Sequence, residues 1–180
     1  MSSAVQPGAD TASGGAIRLL DRASSFLNEG LAWAAAAMLG AMMIFSVVDM
    51  VMRGFGVTLA GSYEVIGWLS AAAMALALGT VQRHKGHVAM ELFVVKLGRR
   101  SRALTEALMA LISLALFAVV AFYVARYGRV LHETGSLSET LRVIVYPWVY
   151  AVGLGCAGLT LALLVDFLRS VAALRATLRH

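Results

Sequence analysis

Charge is what this sequence has least of. Of its 180 residues only 14% are charged and 60% are hydrophobic, with a mean hydropathy of +0.80. A soluble domain of this size carries about 25% charged residues. That shortage excludes an ordinary water-soluble core and points to the bilayer. Cysteine is nearly absent too. Cys156 stands alone inside an apolar run, which excludes an internal disulfide, a CxxC redox pair and a Cys-rich zinc site. The four histidines, His84, His87, His132 and His180, all fall outside the long apolar runs, so a haem held between membrane helices lacks its ligands. No Ser-His-Asp set, Gly-rich phosphate loop or pair of catalytic carboxylates stands out, and an enzyme is not expected.

What is present is four long uncharged stretches: residues 30–48, 65–82, 107–125 and 143–165, of 19, 18, 19 and 23 residues. Crossing ~30 Å of hydrocarbon at ~1.5 Å per residue takes about 20 residues, so each run can span a membrane. Backbone groups in lipid must find partners within their own segment, which makes the runs helices. The spans are expected at about 28–50, 64–82, 104–126 and 145–166, within a membrane domain of residues 27–168. Residues 1–26 read as a polar, disordered leader and 169–180 as a basic tail. The first run follows that leader and exceeds the apolar core of a cleavable signal, so it is retained.

Eleven of the fifteen basic residues fall in the leader, the second connection and the tail. By the positive-inside rule both termini are cytoplasmic. The net charge of +5 then signals topology, with no nucleic acid needed. Tyr123 and Tyr127 close the third span and Tyr146, Trp148 and Tyr150 open the fourth, as aromatic belts do on the opposite side. Pro147 sits near a helix start, where its missing N–H costs little.

The stretch "GTVQRHKGHVAMELF" (79–93) poses a choice between a metal site and a membrane exit. The zincin pattern needs histidines four apart with a glutamate directly after the first, whereas Lys85 follows His84 and Gly86 interrupts. The exit reading uses every residue: Arg83 and Lys85 stop the second span, Gly86 turns the chain, and His87, Glu91, Lys96, Arg99 and Arg100 belong to a short interfacial helix at about 87–100.

Inside the spans, small residues recur every fourth position: Ala32, Ala36 and Gly40 in the first, Gly67, Ala71, Ala75 and Gly79 in the second, Ala151/Gly155 and Gly158/Ala162 in the fourth. Such ridges let membrane helices approach closely, within the bundle or against another membrane protein. Charges lie only near helix ends, so a carrier working alone, which keeps ionisable residues deep in the membrane, is disfavoured. An autonomous four-helix transporter and the membrane anchor of a redox complex remain the alternatives.

The Glu64-x-x-x-Trp68 opening of the second span, "ALALGTVQRHKGHVAMELF" at its exit and "TGSLSETLRVIVYPWVY" before the fourth resemble the small membrane subunit of tripartite ATP-independent periplasmic (TRAP) transporters. Two positions depart from the family pattern: Glu91 stands where aspartate is usual, and "YAVGLGCAG" lacks the second proline that many members carry. The resemblance implies four membrane helices plus a horizontal amphipathic helix, both termini inside, and a scaffold role in a bacterial inner membrane. The partners it implies are a large membrane subunit, which carries the substrate and sodium sites, and a periplasmic binding protein delivering an organic acid such as a dicarboxylate, keto acid or sialic acid. It implies no cofactor on this chain, since sodium is used by the large subunit. Glu64 and Trp68 would then mark the outer end of the subunit interface, and Arg126, Arg129, Glu133 and Glu139 are available to dock the binding protein.

Overall fold

A computed structural model describes residues 10–85 and 99–178. It is all-helical there: α1 (Asp10–Gly54), α2 (Ser62–Lys85), α3 (Arg99–Thr134) and α4 (Tyr146–Leu178). The described residues contain no strand, only one isolated antiparallel bridge between Leu137 and Ile144. All four helices contain a segment long and apolar enough to cross a membrane.

The helices overrun the apolar stretches. The 45 residues of α1 extend about 67 Å at 1.5 Å per residue, twice the hydrocarbon thickness. The leader was expected to be disordered through residue 26, but the chain is helical from Asp10. The physical reason lies in tertiary partners: Ser24 and Asn28 are buried, and Asp21 is bonded to arginines of α2 and α4. The tail likewise continues α4 to Leu178. The interfacial helix expected at about 87–100 lies outside the described residues, apart from Arg99 and Arg100, which open α3.

In space the helices run in the order α1, α2, α4, α3. The fourth helix packs on each of the others, and α3 rests chiefly on it. The dry centre lies around α2 and α4: Ala72, Ala73, Ala75 and Leu76 of the one and Cys156, Leu159, Ala162, Leu163 and Val165 of the other are buried. These side chains are small because close backbone approach, with its dense dispersion contacts, holds membrane helices together where lipid is as apolar as they are. The two flanking helices bury little and show large apolar side chains outward, among them Trp33, Met43, Ile44 and Met50 on α1 and Leu108, Ile112, Leu116 and Phe122 on α3. The bulky third span is therefore an outer helix rather than the filling of the bundle centre.

Candidate functional site

At one end of the bundle, the connection from α1 to α2 and the loop from α3 to α4 lock together. Gly61 has φ +81° and lies so close to Leu141 that any side chain there would collide with it. Glu64, in the first turn of α2, turns its carboxylate into the longer loop. It accepts hydrogen bonds from the Ser138 hydroxyl and from the backbone N–H groups of Thr140 (3.1 Å) and Leu141 (3.3 Å). Backbone donors in a loop have no helix or sheet to satisfy them, and one carboxylate from a neighbouring element fixes the loop in place. Trp68, one turn further on, stacks against Trp148 of α4 at 5.9 Å between ring centroids. Beside them Arg53 bonds Asp49 at 2.8 Å and Ser62 at 3.3 Å and lies 5.1 Å over the Tyr63 ring. Glu64 and Trp68 thus face α4 and its loop, inside the chain.

At the other end three helices meet on Asn28, which is only 1% exposed. Its side-chain nitrogen donates to the Ser24 carbonyl (2.9 Å) and, across to α4, to the Gly158 carbonyl (3.2 Å), while its backbone carbonyl accepts from the Thr80 hydroxyl of α2 (2.7 Å). Its Oδ1 occupies the space that a Cβ on Gly79 would fill and would lie 2.9 Å from one on Gly158. Both glycines make room for that amide. Two turns before Asn28, Asp21 is shared by Arg83 (3.1 Å) and Arg169 (2.7 Å), and Gln82 donates to Asp166 at 3.5 Å. Sequence reasoning missed Asn28 and Asp21 because both precede the uncharged run that defined the first span. A polar residue four after Ser24, on the stripe Ser24, Asn28, Ala35 and Asp49, was the available signal.

The structure divides the small-residue ridges. Ala75 and Gly79 are buried, and a Cβ on Gly155 would collide with the Ala75 backbone; Gly67 and Ala71 are exposed. On α1, Ala36 is exposed, whereas Ala32 and Gly40 are half-buried, with open space beside Gly40. The cause is helical geometry: a step of four residues turns about 40° past a full circle at 3.6 residues per turn, so a three-step ridge winds about 120° around its helix. The ridge of α2 therefore starts on one face and ends on another.

The remaining candidates are scattered. Arg126, Arg129 and Glu133 are exposed along the end of α3, and Glu139 is exposed in the loop that Glu64 holds. Arg83 is half-buried in its ion pair and Lys85 is the last residue of α2, while Gly86, His87, Glu91 and Lys96 lie outside the described residues. Among the described residues no group of three or more His, Cys, Asp or Glu side chains is placed to hold a metal ion.

The model of one protein family, tripartite ATP-independent periplasmic transporters, DctQ component, matches residues 42–173. The chain belongs to that family. It is a TRAP transporter small membrane subunit, and the family is one of transporter components, not of enzymes. Membership implies association, in general terms, with a TRAP large subunit and a binding protein. No curated protein and no solved structure was found to match it. The DctQ match begins in the last third of α1, so Asp21 and Asn28 lie ahead of it while their partners Gly79, Arg83, Gly158 and Arg169 lie within it.

Proposed function

We propose that this TRAP small subunit is a scaffold for sodium-coupled import of an organic acid, a dicarboxylate, keto acid or sialic acid, across a bacterial inner membrane. In this reading both termini are cytoplasmic, residues 87–100 lie along the cytoplasmic interface, and the substrate and sodium sites belong to the large subunit. The observation that carries the proposal, beyond family membership, is the division of labour in the ridges. Ala75, Gly79 and Gly155 hold the bundle together, while Gly67 and Ala71 are exposed on the outside of α2, between the protruding Tyr63 and Met74. A notch of small residues flanked by large apolar side chains suits close packing against a helix of a second membrane protein.

Two experiments test this. Pull-down of the tagged chain from native membranes is expected to bring a stoichiometric, much larger polytopic membrane protein. Ala71→Leu, at an exposed position, is expected to lower that yield about tenfold, the upper range of one membrane packing contact, while the chain's own thermal unfolding stays unchanged. Recovery of the chain alone, or undiminished yield from the variant, counts against the interface.

At the opposite end, Arg126, Arg129, Glu133 and Glu139 are the proposed docking charges for the periplasmic binding protein. All four are exposed around a loop that Glu64 keeps ordered. Reversing Glu133 and Glu139 to lysine together is expected to slow binding-protein-dependent uptake about tenfold and to change its salt dependence, because exposed charges act mainly on encounter rate. Uptake unchanged at low ionic strength removes these residues from the docking surface.

A further inference from the structure

A groove of about 500 Å³ opens between α1 and α2 at the end where Arg83 lies. Its lining is segregated along the helix axes. Glu29 on α1 and Arg83 and His84 on α2 form the mouth, and Ala32, Trp33 and Ala36 continue inward along α1. Ala36 stands about 10 Å beyond Glu29 at 1.5 Å per residue, inside a segment apolar enough to span the membrane. Charged at the mouth and apolar below, the groove repeats the layout of a phospholipid standing in one leaflet.

The charges at the mouth select among headgroups. Arg83 and Arg169 are balanced by Asp21 and Asp166 in one cluster, so what the α2 side offers the groove is N–H donors, from the Arg83 guanidinium and the exposed His84, rather than surplus charge. Glu29 is exposed on the α1 side, with no ion pair or hydrogen bond to its side chain among the described residues. A phosphate accepts hydrogen bonds from a guanidinium and an imidazole, and a primary ammonium donates to a carboxylate. A choline headgroup has no N–H to offer Glu29, and a purely anionic headgroup meets it with like charge. Free phosphate would use the mouth alone and leave the apolar floor uncovered.

We propose that this groove binds one phospholipid with a zwitterionic, primary-ammonium headgroup of the phosphoethanolamine class. Its phosphate lies against Arg83 and His84, its ammonium against Glu29, and an acyl chain over Ala32, Trp33 and Ala36. The proposal rests on the chain spanning a membrane and not on the identity of its protein partner.

The test is native mass spectrometry of the full-length chain, with whatever co-purifies, after exchange into mixed micelles holding equal phosphatidylethanolamine, phosphatidylcholine and phosphatidylglycerol. The wild-type chain is expected to retain one phosphatidylethanolamine at least about fivefold over either competitor, the discrimination worth one interfacial charge. Glu29→Lys is expected to shift retention to phosphatidylglycerol. Ala36→Phe, which fills the floor at an exposed position, is expected to abolish retention with helicity unchanged. Equal retention of the three lipids overturns the proposal, as does phosphatidylethanolamine retention that neither variant alters. So does efficient crosslinking of an Ala36→Cys variant to a co-purifying protein, which would show the groove filled by a helix. Absence of a large subunit from the preparation bears on the scaffold reading alone and leaves these lipid ratios interpretable.

Discussion

Gly155→Leu is expected to unseat α4 from α2 and to leave little folded chain in detergent. A Cβ at position 155 would run into the carbonyl carbon and oxygen of Ala75 and lie 2.7 Å from the backbone nitrogen of Leu76. Those atoms belong to a helix backbone and cannot rotate away as a side-chain tip can, so the two axes must separate. Separation opens the contact between α2 and α4, where Ala72, Ala75, Leu159 and Ala162 are all buried. Overpacking typically costs about 1–3 kcal/mol, and a clash with backbone belongs at or above the top of that range. Gly155→Ala is expected to show most of the effect, since the first carbon already collides. Thermal unfolding of the purified chain and its monodisperse yield are the measurements. Gly67→Leu is the control, because open space surrounds Gly67 and the folded chain should tolerate it. If Gly155→Leu unfolds no earlier than Gly67→Leu, the α2–α4 contact is not as close as described.

Glu64→Gln is expected to release the loop between α3 and α4 while the helices stay packed. Both carboxylate oxygens are engaged, Oε1 by the Thr140 N–H and Oε2 by the Ser138 hydroxyl and the Leu141 N–H. A glutamine keeps the shape but must turn an NH₂ donor toward at least one of those donors. Hydrogen bonds to a charged acceptor are stronger than those to a neutral one, and a donor turned against another donor loses its partner. Hydrogen exchange at Thr140 and Leu141 should accelerate about tenfold to a hundredfold, while the amides of α2 keep their protection. Since the same loop carries Glu139 and Arg142, the latter in a left-handed conformation with φ +54°, uptake should fall as the loop loosens. A loop whose exchange does not respond to Glu64→Gln is held by something other than this carboxylate.

The fold was legible because bilayer thickness imposes a length on each helix. Runs of 18 to 23 uncharged residues can do little else but cross the membrane; three lie wholly within an observed helix, and the fourth starts at Val143, three residues ahead of α4. Helix ends were less legible. Charge stops an uncharged run, but it does not stop a helix whose polar turns find partners, as those of α1 do through Asp21. Residues 86–98, the centre of the most distinctive sequence stretch, lie outside the described part, so the motif that carried the family resemblance tells nothing about the site's geometry.

The sequence by itself determined the number of spans, the confinement of charge to their ends and the family, because all three depend on composition along the chain. Only the tertiary structure decided which small residues face inward. Spacing by four is compatible with any face of a helix and winds about 40° per step, so Gly67 and Gly79 look equivalent in sequence and end on different sides. Only the tertiary structure brought Asn28 to Gly79 and Gly158, and Glu64 to the loop at Ser138 and Leu141. These are contacts between residues 51 to 130 apart in the chain, and no local pattern records them.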